Sequence, residues 1–231
     1  MFLTEHSSGK GVAVSLDWIL KLANFCRVAA WRLRIAWRGG RIGRRCSIAP
    51  GVRLECGRGR PIVLGEGVRL LRGVVLSTRP GGRITLESHV YVGEYGIVRS
   101  AAEICIARDT IIAPHVHIED FDRRPGAPPP DALAVQSARL VGFADGRGRR
   151  AIRPGAPGQS AIEAAPIHIG RDVWFGAGVR VLGGVTVGDQ AVLGAGAVAD
   201  QSVPDRGVAV GVPARVVRFR GGSPEKGKAP A

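Results

Sequence analysis

A six-residue period runs through this chain and constrains its fold more than any other feature. Near the C-terminus one position recurs six times, with glycine directly after four of its members: Ile169, Phe175, Val181, Val187, Leu193 and Ala199. A helix places apolar residues every three or four positions and a strand every two, so neither alone explains this spacing. Short strands joined by tight corners do explain it, because each strand then places one large side chain in a shared core. The period predicts a parallel β-helix with three hexapeptides in each triangular coil.

The same period extends upstream and is broken only between triplets. The earlier triplets each keep a spacing of six: Ile42, Ile48 and Leu54; Leu64, Leu70 and Leu76; Leu86, Val92 and Val98; Ile106, Ile112 and Ile118. Because every insertion falls between triplets, all of them leave one corner of the prism. The largest, residues 119–163, carries 45 extra residues and either covers an acceptor pocket or is a flexible insert. We expect an all-β fold of about six coils over residues 41–203, and an ordinary β-sandwich is the alternative.

The two ends of such a solenoid need covers, because a coil cannot bury its own apolar face. Residues 1–40 are expected to supply an N-terminal amphipathic helix, and residues 204–231 a C-terminal cap and tail. Residues 12–38 mix three tryptophans and other apolar residues with five cations at helical spacing. That is too many charges for a transmembrane span. Peripheral contact with the inner membrane surface and capping of the first coil both remain open.

Composition narrows the partners and the compartment. The formal net charge is +14, but the 29 arginines are spread along the chain without a nucleic-acid motif or an aromatic ladder. Nucleic acid is therefore not expected as a partner. The four cysteines, Cys26, Cys46, Cys56 and Cys105, lack metal-ligand spacing, and we expect buried thiols in a reducing compartment and no metal. The start of the sequence does not look like a cleavable signal peptide, so the predicted location is the cytoplasm.

The C-terminal stretch IHIGRDVWFGAGVRVLGGVTVGDQAVLGAGAV, followed by GVPARVVR, resembles the hexapeptide-repeat acyltransferases. It is most similar to the sugar O-acetyltransferase branch, which includes the maltose, galactoside, colanic acid and capsule enzymes. The resemblance is specific over residues 166–218 and extends over 41–118 in period alone. It implies a left-handed β-helix, a homotrimer, acetyl-CoA bound between adjacent subunits as acyl donor, and a sugar or glycan as acceptor.

The resemblance also implies where the donor binds. A Gly-Ala-rich edge with a neighbouring tryptophan leaves room for the pantetheine arm, and the residues concerned are Trp174, Gly176, Ala177, Gly178, Gly194, Ala195 and Ala197. Arg215 and Arg218 lie in and after the segment that matches the family's NPAK motif, and they are the candidates for the nucleotide phosphates. The family's Thr-Lys pair is replaced here by Asp200 and Gln201.

The catalytic base is the point where this sequence departs from the family. The family's pattern I-x-D-x-D-H ends on a catalytic histidine, and the corresponding stretch here, residues 118–123, ends on Arg123. Arginine, with a pKa above about 12, cannot serve as a base near neutral pH. The remaining candidates are His117, His115, Asp120 and Asp122. Since Ile118 faces inward, His117 should point outward from the coil, whereas His115 occupies a corner position.

These observations favour an acetyl-CoA-dependent O-acetyltransferase acting on a sugar hydroxyl of a cell-surface polysaccharide or its lipid-linked precursor. Two alternatives remain open, an inactive trimeric β-helix scaffold and an N-acetyltransferase acting on an amino sugar. A γ-class carbonic anhydrase shares the repeat, but it needs three well-placed zinc-binding histidines, which this spacing does not supply.

Overall fold

A computed structural model describes residues 10–57, 59, 61–123 and 162–221. The described residues form a parallel β-helix with three flat faces, preceded by one helix, α1 (Lys10–Ala36). The first and third faces each carry six strands in this part of the chain, one per coil, and the second face continues into the C-terminal cap. The predicted solenoid of about six coils is therefore confirmed, and the β-sandwich is excluded.

The strands are short, and they recur in the same order in every coil. The first face contains β1 (Arg41–Ile42), β4 (Ile62–Leu64), β7 (Arg83–Leu86), β10 (Glu103–Ile106), β15 (Ile167–Ile169) and β18 (Thr186–Val187). The second face contains β2 (Ser47–Ile48), β5 (Arg69–Leu70), β8 (Tyr91–Val92), β11 (Ile111–Ile112), β16 (Trp174–Phe175), β19 (Val192–Leu193), β21 (Gly207–Val210) and β22 (Arg215–Phe219). The third face contains β3 (Arg53–Glu55), β6 (Val75–Thr78), β9 (Ile97–Ser100), β12 (His117–Glu119), β17 (Arg180–Val181) and β20 (Val198–Ala199).

The residues that define the six-residue period fill the core. Ile118 of β12 pairs in register with Val98 below it and Val181 above it, and all three are buried. Each strand alternates outward and inward side chains, so the residue before the core position faces outward. The stacked coils thus bury one continuous apolar column, which is how a solenoid gains stability that a single coil lacks.

The insertions all leave the corner between the third and first faces, as predicted. After β12 the chain enters β13 (Phe121–Arg123), which pairs antiparallel with β14 (Ile162–Ala164) before the next coil begins. This two-stranded hairpin forms the base of the long insertion. The rest of the predicted loop, residues 124–161, lies outside the described residues.

The cysteines only partly match the expectation of buried thiols. Cys46 and Cys56 are buried, but Cys26 is exposed on α1 and Cys105 is half-buried. The prediction was wrong for Cys26 because it lies on a side of the helix that does not face the solenoid. Cys105 lies at the outward position of β10, between the buried Ile104 and Ile106.

Both ends of the solenoid are covered within the described residues. Val28 and Ile35 of α1 are buried in the same apolar cluster as the first coil, so the helix caps that end. None of the described helical segments is long and apolar enough to cross a membrane. At the other end β21 pairs parallel with β19, and β22 folds back antiparallel on β21, which buries Val208 and leaves Val217 exposed.

Candidate active site

His117 lies at the outward position of β12, directly before the inward-facing Ile118. Its backbone N–H donates to the carbonyl oxygen of Val179 at 2.8 Å, and its ladder neighbours are Ile97 and Arg180. The side chain is 24% exposed, yet Nε2 itself is buried and has no hydrogen-bond partner among the described residues. Nε2 lies 3.4 Å from Oε2 of Glu119, close enough for electrostatic attraction.

Burial lowers the pKa of His117 below its ordinary value, because a charged imidazole loses hydration in this position. The Glu119 carboxylate opposes that effect by raising the pKa, while the Arg180 and Arg99 guanidinium groups lower it further. The net result is an imidazole that stays neutral near pH 7, which is the form able to accept a proton.

Glu119 is a site residue that the sequence argument did not single out. It follows His117 by two positions on the same strand, so both side chains point outward. Its carboxylate lies between His117 and Arg99, whose Nη1 is 3.7 Å from Oε1. The two-residue spacing was the available signal, since an acidic side chain there must share a face with the histidine.

His115 has a different position from His117 and different contacts. It occupies the corner before β12 with a φ of 60°, and its ring stacks on Tyr95 of the previous coil at a centroid distance of 5.4 Å. Its backbone N–H donates to the carbonyl oxygen of Glu94 at 2.9 Å. The exposed imidazole is thus part of a stacked corner, next to the site and fixed by the aromatic ring.

Asp120 is fully buried, and its carboxylate anchors the backbone where the insertion begins. It accepts hydrogen bonds from Ser100 Oγ at 2.6 Å, from the Ala101 N–H at 2.6 Å and from the Ala102 N–H at 3.0 Å. These contacts occupy both carboxylate oxygens and support a structural role. For Asp122 and Arg123 the structure gives only the backbone, in β13, and their side chains lie outside what is described.

The Gly-Ala edge is the corner between the second and third faces in the coils that follow His117. We define the glycine edge as residues 176–178 and 194–196, which stack directly, since the Gly196 N–H donates to the Ala177 carbonyl oxygen at 2.8 Å. Gly178 and Gly196 have φ of 71° and 70°, and a Cβ added to either would meet nothing within 4 Å. This backbone conformation favours glycine, although His115 adopts it with a φ of 60° at the same corner one coil earlier, and the space outside the two glycines is open.

Gly176 and Gly194 serve a different purpose from the two open glycines. A Cβ on Gly176 would lie 2.5 Å from the Ala195 nitrogen, and one on Gly194 would lie 2.7 Å from Cγ1 of Val210. They allow successive coils to approach closely. The predicted cofactor role of Ala197 is not supported. Its side chain is fully buried in the core and so cannot contact a ligand.

Trp174 and His117 lie on opposite sides of the glycine edge. Trp174 is 55% exposed on the second face, two residues before Gly176. His117 begins the third face, where its neighbour Arg180 follows Gly178 by two residues. A ligand lying along this edge would therefore pass between an exposed indole and a neutral imidazole.

The two predicted phosphate ligands lie at different places on β22. Arg215 pairs in register with Val210, whose side chain packs at Gly194, so it lies at the end of the glycine edge. Its Nη1 donates to Oδ1 of Asp200 at 3.1 Å and to the Ala214 carbonyl oxygen at 2.7 Å. Arg218 is exposed and pairs in register with Val208, farther from that edge.

Among the described residues, no group of three His, Cys, Asp or Glu side chains is placed to hold a metal ion. The described arrangement offers a neutral histidine, a neighbouring carboxylate and an open edge of backbone and small side chains. Such a set can accept a proton from a bound hydroxyl group and can accommodate a linear, amide-containing ligand.

Comparison with known proteins identifies the repeat. Residues 166–199 match the model of the bacterial transferase hexapeptide family (six repeats). A putative acetyltransferase of Staphylococcus aureus (strain COL) is 52% identical over 56 residues, which are 24% of this chain and 28% of that protein. A putative lipopolysaccharide biosynthesis O-acetyl transferase of Escherichia coli (strain K12) is 28% identical over 68% of this chain and 71% of its own length.

Solved structures support the fold. An N-acyltransferase from Bacillus cereus, determined in complex with dTDP and 3-hydroxybutyryl-CoA, superposes with a TM-score of 0.58 at 19% identity. The superposition covers 78% of this chain and 82% of that one. Because the structural neighbours are left-handed β-helices, the likeness confirms the predicted hand of the coil.

Proposed function

Because the chain is a hexapeptide-repeat β-helix protein whose residues 166–199 match a bacterial transferase family, we propose that it transfers an acetyl group from acetyl-CoA to a sugar hydroxyl. The observation that carries the proposal is the position of His117 beside the glycine edge, with its pKa lowered and a carboxylate at Nε2. Among the candidate bases, His117 combines an outward direction with a neutral state near pH 7.

In this proposal Glu119 selects the imidazole tautomer. Its carboxylate, 3.4 Å from Nε2, favours a proton there by electrostatic attraction, and the Nδ1 lone pair is then the proton acceptor. The acceptor oxygen attacks the thioester carbonyl carbon while His117 takes the hydroxyl proton. The carbon–sulfur bond then breaks, and His117 returns the proton so that CoA leaves as the thiol. General-base assistance of this kind contributes roughly 100-fold to 10,000-fold in rate.

The donor would lie along the glycine edge. Open space outside Gly178 and Gly196 suits a narrow pantetheine chain, whose amides can bond to main-chain groups. Trp174 supplies apolar contact, and Arg215 supplies charge for the phosphates. We also propose that the protein is a homotrimer located in the cytoplasm, as the resemblance and the expected supply of acetyl-CoA imply.

The acceptor is proposed to be a hydroxyl of a cell-surface polysaccharide or its lipid-linked precursor. The Escherichia coli relative named a lipopolysaccharide biosynthesis O-acetyl transferase, similar over most of both chains, supports this choice. The Bacillus cereus structure, an N-acyltransferase at 19% identity, supports the fold alone and does not favour nitrogen as acceptor.

The proposal is tested by incubating the purified chain with radiolabelled acetyl-CoA and a panel of neutral sugars, amino sugars and polysaccharide fragments. Label released from the product by mild alkali marks an ester and therefore O-transfer, as expected. Label that resists alkali marks an amide and would replace this proposal with N-acetylation. Absence of both transfer and acetyl-CoA binding would support the scaffold alternative instead.

A further inference from the structure

Helix α1 has two chemically different sides, and the side turned toward the solenoid closes the first coil. Asn24 Oδ1 accepts the Ile48 N–H at 3.1 Å, and Arg27 Nε donates to the Ile48 carbonyl oxygen at 3.0 Å. Arg38 Nη1 donates to the Cys56 carbonyl oxygen at 2.9 Å. These bonds satisfy backbone groups at the open end of the solenoid, where no earlier coil exists to pair with them.

The opposite side of α1 leaves large apolar residues in solvent. Trp18, Phe25 and Leu33 are 65%, 66% and 76% exposed. With Leu22 they fall within an arc of about 80° on a helix of 3.6 residues per turn. Trp37, which is 80% exposed, lies just beyond the helix. We call Trp18, Leu22, Phe25, Leu33 and Trp37 the apolar stripe.

The apolar stripe lies in the most basic part of the chain. From Trp18 to Leu54 the sequence contains nine Lys or Arg and no Asp or Glu. Arg34 is exposed on the helix and lies over the Trp31 ring at 5.1 Å. An apolar line about 29 Å long, from Trp18 to Trp37, thus lies in a stretch that carries cations and no anion between Asp17 and Glu55.

We propose that the apolar stripe docks on a lipid bilayer that contains anionic phospholipids. Interfacial helices lie in the plane of the membrane surface, and they typically expose tryptophan, phenylalanine and leucine on a helix that also carries cations. Charge complementarity selects the lipid surface, because phosphate headgroups neutralise the cations while the acyl boundary covers the stripe. Since α1 covers the end of the solenoid, the coils would project away from the membrane. This surface is separate from His117 and does not depend on the acyl-transfer proposal.

The full chain can be tested by flotation with vesicles of phosphatidylcholine alone or of equal parts phosphatidylcholine and phosphatidylglycerol. We expect flotation with the anionic vesicles only, together with a blue shift of tryptophan fluorescence. The triple variant Trp18→Ser, Phe25→Ser, Leu33→Ser should reduce binding by about tenfold or more. A matched triple variant of exposed apolar residues elsewhere, Ile111→Ser, Leu182→Ser, Val217→Ser, should bind as the wild type does.

A charge variant, which leaves the apolar stripe unaltered, provides a second test. Arg34→Gln should weaken binding to anionic vesicles about fivefold, and the loss should shrink as salt is raised. Failure of the wild type to float would overturn the proposal, as would equal losses in the two triple variants. If the apolar stripe instead joins two copies of the chain, the wild type will not float, and sedimentation without lipid will show a smaller species for the stripe variant.

Discussion

Two corners of the same coils are built in opposite ways. At the glycine edge, between the second and third faces, the side chains are hydrogen or methyl and the space outside is open. At the corner between the first and second faces, which we call the ion-paired edge (residues 170–172 and 188–190), charged side chains pair with one another along a cleft of about 420 Å³. Asp189 Oδ1 accepts the Arg171 N–H at 2.8 Å, and its Oδ2 accepts from Arg171 Nε at 2.9 Å.

The difference supports the proposal that the donor binds at the glycine edge and not at the ion-paired edge. The Arg171 guanidinium beside Asp189 holds the pKa of that carboxyl below its usual range. The two charged groups are thus paired with each other. The Asp189 N–H donates in turn to Oδ1 of Asp205 at 2.9 Å, which continues the pairing into the cap. The glycine edge has no such chain of side-chain contacts among the described residues, and it lies beside His117. This contrast is the reason for proposing that the donor binds at the glycine edge.

The largest expected effect comes from removing the base. His117→Gln should lower kcat by about 100-fold or more while leaving acetyl-CoA affinity near the wild-type value. The matched control is His168→Gln, since His168 is also an outward-facing strand residue but is exposed and lies on the first face. Steady-state measurements of kcat and KM for both variants test this prediction. Equal kcat values in the two variants would show that His117 is not the base.

A smaller effect is expected when the glycine edge is narrowed. Gly178→Ala places a methyl group in the open space and should weaken acetyl-CoA binding by about tenfold, at a cost of about 1 kcal/mol in the free energy of unfolding. Gly184→Ala is the control, because Gly184 has a similar φ of 81° but lies at the corner with the insertions. Calorimetric titration should show weakened binding in Gly178→Ala alone.

The pH dependence of the reaction should change when groups around His117 are altered. If neutral His117 is the base, as proposed, kcat/KM should fall on the acid side with an apparent pKa below the ordinary histidine value of about 6.5. Glu119→Gln removes an effect that raises this pKa, so the fall should move to lower pH. Arg180→Ala removes one that lowers it and should move the fall to higher pH. Profiles that remain superimposable would argue against His117 as the titrating group.

The smallest effect on activity is expected at the ion-paired edge. Asp189→Ala removes hydrogen bonds to Arg171 and should lower Tm by only a few degrees, with kcat and KM unchanged. Thermal melts and activity assays on one preparation suffice. A loss of acetyl-CoA binding comparable to that of Gly178→Ala would erase the distinction between the two edges.

The period predicted most of the fold because inward positions carry a strong apolar signal. It placed Ile118 in the core, His117 outward, and all insertions at one corner, as the structure has them. The same alternation indicates that Asp120, two residues after Ile118, faces inward. Its burial depends on donors from the neighbouring coil.

Contacts between outward side chains were harder to predict. The approach of Glu119 to His117 depends on side-chain rotamers and on Arg99 in the coil below, which no six-residue pattern specifies. Ala197 was misjudged because its neighbours on the glycine edge are small, whereas its own position is in the core. The two sides of α1 likewise became distinct only when the contacts with the first coil were known.

We propose that the donor binds along the glycine edge and not along the ion-paired edge. Hydrogen exchange of backbone amides, resolved to single residues with and without acetyl-CoA, tests it directly. We expect slower exchange at residues 176–178 and 194–196 and no change at 170–172 and 188–190. Protection confined to the ion-paired edge, or protection at neither edge under saturating acetyl-CoA, would contradict it.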